Sequence, residues 1–99
     1  MLILTRRMGE TIVIEDLIEL RLIEVKEHRV RLAIRFLKTD SPILKVTLNT
    51  SQCVEIGDHV TVMAVVCSGE HTRIGVKAPP DVSIMRGEIL RPAELSGSG

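Results

Sequence analysis

Apolar positions along this chain alternate with polar ones more often than they recur at helical spacing. Val30, Leu32 and Ile34 alternate with Arg29, Arg31 and Arg35 around Ala33, which predicts a half-buried strand. Thr11 to Ile14 reads as a short strand, and Met1 to Thr5 is a short apolar run. Between Asp16 and Lys26, six apolar residues interleave with Glu19, Arg21 and Glu24. Leu20 and Leu22 favour a strand there, whereas Ile18, Leu22 and Val25 also fit a helix face. Residues 57–66 read as a strand, Ser68-Gly69-Glu70-His71 as a hairpin turn, and Thr72 to Val76 as the return strand. Val82 to Arg86 alternates and predicts a final strand. Arg6 to Glu10 reads as a turn with Gly9 at positive φ, and Lys26 to Arg29 as another. Lys38 to Pro42 and Ala78 to Asp81 are loops. Gly87 to Leu90 begins at most one helical turn, stopped by Pro92, and Ser96 to Gly99 is a flexible tail.

The pattern is written twice. Shifting residues 1–38 by 42 positions superposes Leu2 on Leu44, Thr5 on Thr47, Ile14 on Ile56, Asp16 on Asp58 and Arg31 on Arg73, without a gap. Similar residues coincide at Leu4/Val46, Ile12/Val54, Leu20/Val62, Leu32/Ile74, Ala33/Gly75 and Ile34/Val76. A period of this size marks one supersecondary unit used twice. The second copy decides the ambiguous stretch: if 57–66 is a strand, so is Leu17 to Val25.

Composition agrees and narrows the chemistry. The chain has 99 residues, 44% of them hydrophobic and only 1% aromatic. That bounds it to one small domain with an aliphatic core, spanning 1–95 as two repeats of about 1–42 and 43–90. Valine and isoleucine suit a pleated surface, so an all-β fold is expected. Formal net charge is zero, which argues against general affinity for nucleic acid and leaves room only for a local basic patch. Cys53 and Cys67 read as buried or half-buried free thiols in a reducing cytoplasm, with a disulfide as the alternative. His28, His59 and His71 lack ligand spacing, so neither a metal nor another cofactor is expected. No apolar stretch has membrane-spanning length, and the chain opens without a secretory signal pattern. Nothing resembles a nucleophile elbow or a phosphate-cradling loop, which argues against an enzyme.

Three segments carry a resemblance: MLILTRRMGETIVI at 1–14, IGDHVTVMAVV at 56–66 and RIGVKAPPDVSIMRGEIL at 73–90. Together they are similar to the carbon storage regulator (CsrA/RsmA) family of small bacterial RNA-binding translational repressors. An ordinary member is about as long as one copy plus a tail, so residues 15–55 complete a diverged first copy and begin a second. The family forms an intertwined dimer of five-stranded protomers, with each RNA site joining the first strand of one protomer to the last strand of the other. The resemblance therefore implies two fused β repeats folding as an intramolecular pseudo-dimer, a sandwich or barrel. Such a monomer is favoured over a strand-swapped homodimer. The offset adds that one segment stands where the dimer has two strands, because 40–44 matches Val82 to Arg86 while Ile43 to Thr47 matches the first strand.

The resemblance also implies an RNA site at Leu4, Thr5, Arg6 and Arg7 of the first strand, facing Val82, Ile84 and Arg86 of the last, with Ala78 and Pro79 alongside. The other half has lost these residues: Leu48 stands for Arg6, Asn49 for Arg7, Pro42 for Ile84, Leu44 for Arg86 and Ser51 for Gly9. One RNA site per chain is expected, with a degenerate face at Ile43 to Asn49. Arginine offers fixed donors to phosphates and guanine edges, and the site has no aromatic residue for stacking. The implied target is a GGA in a hairpin loop overlapping a ribosome-binding site. The competing reading is a protein-interaction module that binds a protein antagonist, with RNA binding weak or lost. The Arg29, Arg31 and Arg35 stripe is either a solvated sheet face or an auxiliary phosphate surface. Glu10 reads as a surface or local ion-pair residue.

Overall fold

The computed structural model describes residues 1–68 and 71–87. The expected turn at Gly69 and Glu70, the helical turn following Gly87 and the tail at Ser96 to Gly99 lie outside the described residues. The described residues form nine strands: β1 (Leu2–Arg7), β2 (Thr11–Ile14), β3 (Ile18–Lys26), β4 (Arg29–Phe36), β5 (Leu44–Asn49), β6 (Cys53–Ile56), β7 (Val60–Ser68), β8 (His71–Lys77) and β9 (Ile84–Arg86). The strands make two sheets, ordered β1-β8-β7-β6 and β5-β4-β3-β2-β9.

The repeat seen in the sequence is repeated in the backbone. β5 to β8 begin 42 residues after β1 to β4, at Leu2/Leu44, Thr11/Cys53, Ile18/Val60 and Arg29/His71. Each long hairpin carries a bulge at the same place, between Leu22 and Glu24 in β3 and between Ala64 and Val66 in β7. Even the turn after the first strand of each copy is built bond for bond. Gly9 N–H donates to Leu22 O at 2.6 Å and Ser51 N–H to Ala64 O at 2.7 Å. Glu10 Oε1 accepts from the Arg7 amide at 2.7 Å, and Gln52 Oε1 from the Asn49 amide at 2.9 Å. Glu10 is thus a turn brace as well as a neighbour of Arg6. Gly9 has φ 90° and Ser51 φ 75°, so the second copy keeps the left-handed turn without the glycine.

First strands are exchanged between copies. β1 pairs antiparallel with β8, and β5 with β4, so each sheet combines three strands of one repeat with the first strand of the other. β9 crosses over to lie antiparallel to β2. The chain is therefore all-β, two fused repeats folded as an intramolecular pseudo-dimer. Between the sheets lies a core drawn from both copies, including Ile14, Leu20, Leu22, Val30 and Leu32 with Val62, Ile74 and Val76. It is aliphatic throughout, with the one aromatic residue, Phe36, half-buried against it. That such a core forms from 99 residues follows from β-branched side chains filling a pleated interior with little rotamer loss.

Three expectations need correction. Arg6 and Arg7 are not in the turn: β1 runs on to Arg7, held by ladder pairing up to Arg7–His71, and only Met8 and Gly9 turn. The final strand is shorter than Val82 to Arg86, because a turn with Val82 N–H on Pro79 O at 3.0 Å occupies its start. Cys67 is buried, but Cys53, on an edge strand, is exposed rather than half-buried. The helical alternative for 18–26 is removed by continuous pairing of β3 with β2 and β4. Among the described residues, no helix is long and apolar enough to cross a membrane.

Candidate nucleic-acid interface

β1 and β9 are edge strands of different sheets, and they meet at the start of β2. Arg86 lies opposite Ile12 in the β2–β9 ladder. One residue earlier, the Thr11 carbonyl accepts from Arg6 Nη1 at 3.4 Å. Gly87 packs against Thr11 so closely that a Cβ there would lie 2.9 Å from the Thr11 Cβ. At the other end, Leu2 pairs with Val76 near the close of β8, from which Ala78 and Pro79 lead by a turn to Val82. The two edges thus run the same way, with Ala78 and Pro79 at one end and Arg6, Arg7 and Arg86 at the other. β1 and β9 are not ladder neighbours: they are two edges converging across the gap between sheets.

Alternation sorts the β1 residues. Leu4 and Arg6 turn inward, with 8% and 6% of their surface exposed, whereas Thr5 and Arg7 are exposed. Leu4 belongs to the core cluster and forms the floor of the site. Arg6 is held by the Thr5 carbonyl at 2.8 Å, the Thr11 carbonyl and the Glu10 carboxylate at 3.9 Å. A buried guanidinium demands such acceptors, and among the described residues two backbone carbonyls and a carboxylate serve. Arg7 reaches across the ladder and donates through Nε to His71 Nε2 at 3.2 Å. Across the gap, Val82 and Ile84 are half-buried against the core, Arg86 is exposed, and Ala78 and Pro79 are half-buried.

The expected residues therefore converge, but in two layers. Thr5, Arg7 and Arg86 offer side chains to solvent; Leu4 and Arg6 lie beneath them. Two further residues stand in the exposed layer. Arg73 is opposite Thr5 and His71 opposite Arg7, and with Val66 they line a shallow hollow of about 400 Å³. Alternation exposes Arg73 in the sequence, but its place beside Thr5 depends on the exchange of first strands, which spacing does not reveal. Nothing in this arrangement supplies a nucleophile with a base. Among the described residues, no group of three or more His, Cys, Asp or Glu is placed to hold a metal ion.

The opposite half lacks this assembly. β5 carries Leu48 and Asn49 in place of Arg6 and Arg7, and no strand lies on the outer side of β6 among the described residues. The Arg29, Arg31 and Arg35 stripe lies elsewhere, on the exposed face of β4. There Glu19 sits between Arg35 at 4.0 Å and Arg21 at 3.9 Å, and Glu24 is opposite Arg31.

Comparison with known proteins agrees with the doubled architecture. A global regulator protein family, CsrA, matches the chain over residues 1–39 and again over 43–94. A translational regulator CsrA from Leptospira biflexa serovar Patoc is 35% identical over 49 residues, covering 50% of this chain and 62% of the relative. One from Geotalea uraniireducens is 38% identical over 47 residues, 48% of this chain and 60% of the relative. A third, from Desulforamulus reducens, is 34% identical over 44 residues, 44% of this chain and 55% of the relative. The chain thus spans roughly three-fifths of the length of the curated relatives it matches. No solved structure matches it significantly. With both repeats matched and β1 to β4 reproduced in β5 to β8, the chain belongs to the CsrA family of global regulators.

Proposed function

We propose that this protein is a cytoplasmic post-transcriptional regulator, not an enzyme, that binds hairpin-loop RNA carrying GGA and represses translation. One observation carries the reading: the β1 and β9 edges keep the exposed cations Arg7 and Arg86, with Arg73 beside them on β8, while Asn49 and Leu44 stand at the counterparts of Arg7 and Arg86. Thr5, Arg7 and Arg86 contact the RNA directly. Ala78, Pro79, Val82 and Ile84 offer backbone and apolar edges for splayed bases, and Leu4 and Arg6 hold β1 in position beneath. Local charge on a neutral chain suits a short specific motif better than a long nonspecific tract. The protein works as a monomeric pseudo-dimer with one RNA site.

The test is a titration with a GGA-loop hairpin against the same hairpin with a changed loop, at fixed salt, alongside a mass measurement. GGA-dependent binding that saturates at one RNA per monomeric chain is expected. Equal weak binding to both hairpins would instead favour the second reading, a protein-binding module, which the arginine-free segment Ile43 to Asn49 motivates. Two RNAs per chain would refute the one-site assignment.

A further inference from the structure

Among the described residues, the fused repeats leave one sheet a strand short. In the five-stranded sheet, β9 covers the outer edge of β2, with Ile84 opposite Ile14, Met85 opposite Val13 and Arg86 opposite Ile12. The turn residue Glu15 adds an amide bond to Ser83 O at 2.9 Å. In the other sheet the matching edge, β6, is open among the described residues. The reason is in the sequence. The segment that should cover it has Pro42 in the place of Ile84, and from Leu44 onward the chain is already committed to β5, paired with β4. A proline cannot complete the ladder, and one residue cannot serve two strands.

What remains is a groove of about 250 Å³, lined by Ile34, Phe36, Leu44, Val46, Val54 and Ile56. The pseudo-symmetry states what fits it. The same groove around β2 is formed by Val76, Ala78, Leu2, Leu4, Ile12 and Ile14, the residues 42 positions away, and Val82 and Ile84 pack against the core there. The filled half is thus a template for the empty one. Two differences refine it. Exposed Glu55 replaces Val13, so the occupant's residue in the place of Met85 faces a carboxylate. Half-buried Val54 replaces Ile12.

We propose that β6 is a strand-accepting edge that docks an extended segment of a partner protein, antiparallel, with the pattern aliphatic–any–aliphatic–basic. The two aliphatic residues enter the groove as Val82 and Ile84 do beside β2. The basic residue stands opposite Glu55. Main-chain hydrogen bonds to Val54, Ile56 and the Gly57 amide give affinity, and alternate side chains give selectivity. The edge strand carries neither proline nor lysine, two residues that commonly block such pairing, and its one charge, Glu55, selects a basic partner residue. The inference is independent of RNA binding at β1 and β9.

The probe is a synthetic peptide copying residues 80–87, with lysine in the place of Met85, titrated into the full chain and followed by backbone amide shifts. Expected are shifts confined to residues 53–57, unmoved amides at 12–14, and no binding by the same peptide with Val82→Asp and Ile84→Asp. Glu55→Lys in the protein, an exposed change, should weaken the lysine peptide about two- to fivefold and favour a glutamate peptide. Absence of binding overturns the proposal, as do shifts at 12–14, which would mean displacement of β9. Concentration-dependent dimerisation through 53–57 would make a second copy the occupant, and protection of 53–57 by a second RNA would make it an RNA site; either result also overturns it.

Discussion

Arg6 lies opposite Thr72 in the β1–β8 ladder, and both side chains turn into the protein, Arg6 with 6% and Thr72 with 0% of its surface exposed. The pair marks where an arginine that reads as a surface contact has become part of the structure. Arg6 bridges carbonyls of its own strand and of β2, tying the edge of one sheet to the start of the other. Removing it leaves those buried acceptors without their donor and opens space in the floor. Arg6→Ala should cost about 2–4 kcal/mol in denaturant unfolding, because a stranded polar group and poorer packing add. Retained stability would show that Arg6 is peripheral.

Arg86 is the contrasting case. It is exposed on β9 opposite Ile12, and its side chain supports no part of the core. Arg86→Ala should leave unfolding within about 0.5 kcal/mol of the parent. It should weaken hairpin RNA binding by about 1–3 kcal/mol, the range for a charge-assisted contact. Arg7→Ala should behave alike. Parent-like affinity in both variants would remove this corner from the RNA surface.

Much of this division is legible in the sequence, and the rest is hidden for physical reasons. The offset that superposes Leu2 on Leu44 and Ile14 on Ile56 carries strand positions, doubling and the shortage of one strand, because side-chain alternation records local burial directly. It does not carry Arg6's inward turn. Arg6 opens a run, Arg6 to Glu10, that reads as a turn, and only pairing with β8 extends the strand into it. Arg73 is hidden likewise, since which strand lies beside it depends on the exchange between copies. The resemblance puts Leu4 beside RNA, whereas alternation with exposed Ile3 and Thr5 places it inside.

The arginine stripe on β4 should be inert towards RNA. Glu19 lies between Arg35 and Arg21, Glu24 faces Arg31, and the stripe belongs to a sheet face away from the β1 and β9 corner. Changing Arg29, Arg31 and Arg35 to glutamine should leave the slope of log affinity against log salt unchanged. Each phosphate that lost its cation would flatten that slope by about 0.9 or less. A slope flattened by two or three such steps would restore the stripe as an auxiliary phosphate surface.

Thr72 offers a test of the interior itself. Its hydroxyl is buried and finds no hydrogen-bond partner among the described residues. Valine has nearly the same shape without the hydroxyl, so Thr72→Val removes an unmet polar group and adds an apolar contact. Stability should rise by about 1 kcal/mol. RNA affinity should stay at the parent value, since Thr72 is fully buried beneath the exposed layer. A loss of stability would mean that the hydroxyl is hydrogen-bonded in solution.

The turn of the second repeat holds a remaining strain. Ser51 sits at φ 75°, the place of Gly9 at φ 90°, and its amide still makes the same bond, to Ala64 O, as Gly9 makes to Leu22 O. A side chain in this left-handed region costs about 1–2 kcal/mol relative to glycine, part of which glycine returns through greater freedom in the unfolded chain. Ser51→Gly should therefore stabilise the protein by up to about 1 kcal/mol, while Gly9→Ala should destabilise it by about as much. Chemical denaturation of the two variants reads the pair together, and equal small effects in both would show that the turn relaxes without strain. Because the turn joins β5 to β6, away from the β1 and β9 corner, Ser51→Gly should leave hairpin binding untouched. Gly9→Ala, next to Arg7, should weaken it as the β1 end shifts.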